Sequence, residues 1–153
     1  SKRSNLPGLR SGFAASGPKN IKEMKQLRNY SGAPNPTPLQ AVAAAAWSDE
    51  DHVVENRKLY QKKYQIADDI FKNIKGYNAP QAGFFLWLPV ENDEQATLNL
   101  WKQSGIRVLP GSYLSRNVDN KNPGEKYIRV AMVAPFGETK LGLQTIKDNL
   151  YTL

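Results

Sequence analysis

The 153-residue sequence has no cysteine and only one histidine. Without thiols there are no disulfides and no thiolate metal ligands, which fits a cytoplasmic protein. The single imidazole, His52, rules out any site that needs two, and no metal ligand set is singled out. Its place near the start of a predicted helix marks it as a solvated residue. No run approaches the ~18 consecutive apolar residues of a membrane span, and no secretion signal is recognisable. Acidic residues are outnumbered by basic ones, and the net charge is +7. The cations are scattered, and the pairs Arg57-Lys58 and Lys62-Lys63 read as solvated helix faces. With no nucleic-acid motif, nucleic acid is not the expected partner. The excess charge suits small anions such as phosphates and dicarboxylates, or acidic residues in a portion outside this sequence.

A chain of this length can bury one core, or one small domain plus part of another. Residues 1–18, rich in Ser, Gly and Pro, read as loop, strand and turn, with the strand at Gly12-Phe13-Ala14-Ala15. A helix is predicted around Ile21 to Leu27, broken by Tyr30-Ser31-Gly32-Ala33-Pro34-Asn35-Pro36. Thr37 as N-cap with Pro38 at the first helical position opens an Ala-rich helix to Trp47. Ser48 and Asp51 resemble a capping box. Beyond it Val53, Tyr60, Tyr64, Ala67, Phe71 and Ile74 form one face of a long amphipathic helix that stops near Gly76. The second half alternates strands and helices: a strand over 83–90, a helix capped by Asn92 and Gln95 that ends at Gly105, and a short strand over 106–109. A polar loop, a strand over 127–133 and a helix over 138–150 complete a compact α/β sandwich.

Two places carry chemistry. Lys2, in Ser1-Lys2-Arg3-Ser4-Asn5-Leu6-Pro7-Gly8-Leu9-Arg10-Ser11-Gly12, has small neighbours that allow close approach of a ligand ring. An amine there could form a Schiff base with an aldehyde and shuttle a proton. Arg10 offers a planar fork suited to a phosphate. In the strand Tyr127-Ile128-Arg129-Val130-Ala131-Met132-Val133, alternation puts Arg129 on one face with Tyr127, Ala131 and Val133. A guanidinium in such a strand needs a partner, either an internal carboxylate or the carboxylate of a bound ligand.

The pattern Lys2-x-x-Asn5-Leu6-x-Gly8-x-Arg10-x-Gly12 resembles the lysine segment of fold-type I, pyridoxal-phosphate-dependent aminotransferases of class I/II. Ser11 departs from it, where an aliphatic residue or Ala is common. Gly83-Phe84-Phe85, Val108-Leu109-Pro110-Gly111 and Ile128-Arg129-Val130 follow in the family's order, so the resemblance covers essentially the whole chain. It implies that Lys2 is the catalytic lysine that holds pyridoxal 5'-phosphate and moves the proton, and that Arg10 binds the cofactor phosphate. It further implies that Arg129 clamps the substrate α-carboxylate and that Gly83 leaves room beside the substrate. Arg28, with a one-residue gap, matches a side-chain carboxylate binder that reaches the partner subunit's site.

The implied fold is α/β. Residues 1–48 would be the end of the large cofactor domain, and residues 49–153 the small C-terminal domain, entered through a long connecting helix. The partners implied are amino-acid and 2-oxo-acid substrates, a second copy in a homodimer, and an N-terminal portion that supplies the remaining cofactor contacts; alone, the chain should be inactive. The stretch from Ala46 to Tyr60, with Leu109-Pro110-Gly111-Ser112-Tyr113-Leu114, most resembles bacterial N-succinyldiaminopimelate aminotransferases of lysine biosynthesis, which exchange an amino group with glutamate. Aminotransferases for aspartate, aromatic amino acids or diaminopimelate are the near alternatives, and a non-enzymatic basic module that binds an anion is the distant one. At a chain end, Lys2 would fray unless something else holds it.

Overall fold

The computed structural model describes residues 2–32 and 34–151. Ser1, one of the small neighbours of Lys2, and Ala33 of the helix-breaking stretch lie outside them. The chain divides into two compact units, Ser1–Arg57 and Lys58–Leu153.

The first unit holds helices α1 (Pro18–Tyr30) and α2 (Thr37–Ser48) and the start of α3 (Asp51–Phe71). The expected strand at residues 12–15 is absent, and Phe13 is 73% exposed. A strand needs a neighbour to take its N–H and C=O groups, and this unit contains no other strand among the described residues. Helix α2 begins at Thr37 itself, preceded by Pro36, and Thr37 makes no side-chain cap. The capping box at Ser48 is not formed either. The Ser48 hydroxyl donates back to Ala44 O at 3.0 Å, and the Asp49 carboxylate instead accepts the Asp51 N–H at 3.0 Å. The shorter Asx link wins because Ser48 still belongs to α2. His52 is not simply solvated: its side chain is 32% exposed and its Nδ1 lies 2.5 Å from Asp49 Oδ2. That hydrogen bond, with the Asp51 amide, holds the Asp49 carboxyl below its ordinary pKa.

The second unit carries the hydrophobic core. Strands β1 (Phe85–Pro89), β2 (Leu109–Pro110) and β3 (Tyr127–Ala131) form an antiparallel sheet in the order β1-β3-β2, with α4 (Asp93–Ser104) and α5 (Phe136–Leu150) in the same unit. Period-2 alternation turns Leu86, Leu88, Ile128 and Val130 to one face, where they join Ala67 and Phe71 of α3, Ala96 and Leu100 of α4, and Leu143 and Ile146 of α5. β2 is shorter than the predicted strand over 106–109 and lies further along the chain. Pro110 has no N–H to continue a ladder, and Gly111–Leu114 then winds into a 3-10 turn. The Asn92 side chain accepts the Gln95 N–H at 2.9 Å, and Gly105 closes α4 by donating its N–H to Trp101 O, as the sequence predicts.

The loop after β2 is held by close backbone approach. A Cβ on Gly111 would stand 2.2 Å from Gly124 O, and one on Gly124 would stand 2.1 Å from Gly111 O, so both positions exclude side chains. Asp93, at the first position of α4, accepts the Ser112 N–H at 2.8 Å. Burial alone would raise its pKa, but hydrogen bonding to Ser112 and to the first amides of α4 outweighs this and keeps it below the ordinary value.

Phe71 is fully buried at the centre of this core. Phe71→Ala should cost about 3–5 kcal/mol, the scale of transfer plus cavity loss for a buried aromatic, read as a lower urea midpoint at constant slope. Asp93 favours its ionised form in the folded protein. Its contribution is therefore present above the unfolded carboxyl pKa near ~4 and is lost as pH falls through the lower folded value. Asp93→Asn should destabilise the protein at neutral pH and flatten the acid limb of a stability–pH curve; an unchanged acid limb would remove Asp93 from the linkage.

Candidate active site

In the first unit, Lys2 to Asn5 form a tight turn, followed by a 3-10 turn over Pro7–Leu9. Asn5 and Arg10 both take the left-handed conformation, with φ of 52° and 51°. Arg10 ends the 3-10 turn by donating its N–H to Pro7 O at 3.3 Å. Its guanidinium donates to the same carbonyl at 3.2 Å. Among the described residues of this unit no carboxylate pairs with it, which leaves most of an exposed fork for an anion. Asn35 Nδ2 donates to Arg10 O at 3.3 Å and ties the loop before α2 to this segment.

A cleft of about 710 Å³ opens beside the segment, lined by Arg10, Phe13, Met24, Arg28, Asn35 and Trp47 among others. That volume falls within the range of small-molecule sites. Arg10 and Arg28 thus share one cleft, whereas Lys2 is not among its lining residues.

Arg3, passed over as a variable position in the sequence pattern, is the most heavily engaged side chain near Lys2. Its Nη1 donates to Ala46 O at 2.8 Å, its Nη2 donates to Asp49 O at 3.3 Å and pairs with Glu50, and its guanidinium lies 4.8 Å from the Trp47 ring centre. Lys2 therefore belongs to a turn anchored by its neighbour. Nothing in the local sequence signals this, because the partners lie 43–47 residues away.

In the second unit, Arg129 sits on the central strand, opposite Trp87 of β1 and Leu109 of β2. It occupies the face turned away from the core, half-buried, with its guanidinium 4.3 Å from the Phe85 ring centre. Trp87 stacks on Tyr127 at 5.7 Å, so this face is an aromatic ledge with one cation on it. No carboxylate of this unit lies within ion-pair distance of Arg129 among the described residues, so the internal partner left open by the sequence is not seen there. Gly83 precedes β1 at φ +91°, a conformation that strains any L side chain, and the nearest atom to an added Cβ would be Tyr64 Oη at 3.9 Å. Its backbone requires glycine before any question of space beside a ligand arises.

Lys63 was expected to be solvated and is not. It lies on the stripe of α3 that includes Tyr60 and Ala67, and its Nζ donates to Met132 O at 2.9 Å and to Ala134 O at 2.6 Å. Burial lowers its pKa. These bonds hold the chain just beyond β3, three residues after Arg129. The i, i+3 spacing from Tyr60 was the available signal.

The sequence matches the aminotransferase class I and II family over residues 1–141, and the chain belongs to that family. It is 30% identical over 136 residues to 4-dedimethylamino-4-oxo-anhydrotetracycline transaminase OxyQ of Streptomyces rimosus, covering 88% of this chain and 36% of that protein. The crystal structure of an aminotransferase from Neisseria meningitidis matches with a TM-score of 0.85 at 40% identity, over 95% of this chain and 38% of that one. The fold is shared also, at 18% identity and a TM-score of 0.78 over 94% of this chain and 38% of that one, with LysN from Thermus thermophilus, an α-aminoadipate aminotransferase complexed with N-(5'-phosphopyridoxyl)-L-leucine. The chain therefore spans little more than a third of the length of the relatives it matches. The fold is that expected from the sequence, the C-terminal α/β portion of such enzymes.

Proposed function

We propose that this chain is the C-terminal portion of a cytoplasmic, homodimeric, pyridoxal-phosphate-dependent aminotransferase. Residues 1–48 complete its large domain and residues 49–153 form its small one. The observation that carries the reading is the presence, on one short segment, of the Lys2 amine and of an Arg10 fork that no carboxylate among the described residues of its unit occupies. An amine and a guanidinium are the groups that an aldehyde phosphate needs at its two ends. Bound pyridoxal phosphate would supply the electron sink for charge developing at the substrate α-carbon. Lys2 would hold the cofactor and move the proton at that carbon, Arg10 would neutralise the phosphate, and Arg129, whose guanidinium lies 4.3 Å from the Phe85 ring centre, would receive the α-carboxylate. Gly83 would keep a backbone bend beside the substrate, and Arg28 would bind a substrate's distal carboxylate at the partner subunit's site.

The first unit's packing supports the larger assembly. Among its described residues only Ala43 and Val53 are buried hydrophobics, while Phe13, Leu27, Tyr30 and Trp47 are exposed. So little burial cannot offset the cost of ordering these helices, and an additional N-terminal portion would cover them. The substrate we favour is the succinylated diaminopimelate pair with glutamate and 2-oxoglutarate, on the resemblance of residues 46–60 and of Leu109-Pro110-Gly111-Ser112-Tyr113-Leu114. A panel of amino donors and 2-oxo acids with the full-length enzyme tests it; preference for aspartate, an aromatic amino acid or free diaminopimelate would replace that substrate.

In the full-length enzyme, Lys2→Ala should abolish turnover and borohydride-trapped labelling of this peptide while circular dichroism stays unchanged. Near-normal turnover would exclude Lys2 from the chemistry. Arg129→Lys should raise KM for amino donor and 2-oxo acceptor alike by roughly 10- to 100-fold, the worth of about 1.5–3 kcal/mol of charged hydrogen bonding. Unchanged KM values would place the carboxylate elsewhere.

A further inference from the structure

Both ends of the segment that carries Lys2 and Arg10 close on one indole. Arg3 lies over the Trp47 ring at 4.8 Å, and Phe13 meets the same side chain edge-on at 5.0 Å. Between them, Asn35 holds the Arg10 carbonyl. Trp47 is itself in the last turn of α2, a turn that contains no basic residue of its own.

The last four carbonyls of a helix have no partner within it, and its carboxyl end carries partial negative charge. Arg3 supplies what α2 lacks. Its fork takes Ala46 O and Asp49 O, its charge meets Glu50, and its guanidinium carbon lies over the Trp47 ring. The Arg3 side chain is only 18% exposed, against 68% for Glu50. The carbonyl bonds and the aromatic contact, rather than the exposed ion pair, therefore carry most of the attachment. Lysine could satisfy the charge but not this arrangement, because a point ammonium cannot present a planar fork and an aromatic-stacking face together.

We infer that Arg3, Trp47 and Phe13 form a positioning clamp that fixes the spacing between the Lys2 amine and the Arg10 guanidinium. The inference rests on the reading of Lys2 and Arg10 as the two attachment points for pyridoxal phosphate. Neither Arg3 nor Phe13 needs to touch the reacting atoms. They hold the two ends of residues 3–13, which contain Arg10 and follow directly on Lys2, and these two functional groups must reach opposite ends of one rigid ligand. Preorganisation of this kind saves the entropy of ordering the loop at each binding event.

The test uses the full-length enzyme, with pyridoxal 5'-phosphate as probe. The cofactor-free protein is mixed with it, quenched with borohydride over time, and mapped to find which lysine is modified and how fast. Arg3→Gln should label the same Lys2 peptide at least about tenfold more slowly. It should also weaken cofactor affinity by a similar factor, and lower kcat with substrate KM held within about threefold. Arg3→Lys should fail to restore the labelling rate. Trp47→Phe, a milder change that keeps an aromatic face, should fall between Arg3→Gln and the unsubstituted enzyme. Thermal unfolding of each variant separates misfolding from slow labelling. Lys2 labelling at the unsubstituted rate in folded Arg3→Gln, or full rescue by Arg3→Lys, would overturn the clamp and leave the Lys2 assignment standing. Modification of a different lysine in the unsubstituted enzyme would remove both.

Discussion

The alternation of β3 is the constraint on which the second unit depends. Ile128 and Val130, with Met132 just beyond, must face the helices, because they are the apolar mass at the centre of the sheet. With a side-chain period of two, Arg129 then has no choice but the opposite face. There it meets Phe85 from the neighbouring strand and stands between Trp87 and Leu109. An arginine among the core residues would incur a desolvation cost of several kcal/mol. On the opposite face its charge rests on an aromatic ledge.

Around that strand, backbone groups are tied off by side chains from distant parts of the same unit. Lys63 closes the carbonyls that follow β3. The Gly111–Gly124 approach and the Asp93–Ser112 hydrogen bond fix the loop that follows β2. Tyr151 donates to Pro89 O at 2.6 Å and anchors the end of β1. The face that carries Arg129 is thus held at its margins by polar contacts and from behind by a dry core. The first unit is organised differently. It buries few side chains and is ordered around α2 by the contacts that Arg3, Asn35 and Phe13 make with it and with the segment bearing Lys2.

Elements whose order depends on local chemistry were legible in the sequence. The stripe from Val53 to Phe71 produced α3, which ends before Ile74, and the Asn92 cap and Gly105 bounded α4. The Arg129 strand and the family itself were legible too, since they depend on residue type and spacing. Features that require a partner far along the chain were not. Residues 12–15 have the composition of a strand but no neighbouring strand to complete it, and β2 contracted around a proline. Ser48 bonded back into α2 and left the capping role to Asp49. Lys63 looked like a surface cation until its carbonyl partners, 69 and 71 residues away, were present.

By itself, the sequence determined which groups are available: an amine at residue 2, guanidinium forks at residues 10 and 129, and the alternation that separates the latter from the core. Only the tertiary structure decided how they are held. It assigned to Arg3 the carbonyls at the carboxyl end of α2, left Arg129 without an internal carboxylate among the described residues of its unit, and made Gly83 a backbone requirement. The reason is physical. Local patterning fixes the direction of a side chain relative to its own element, but the partner it meets depends on which other element folds against it.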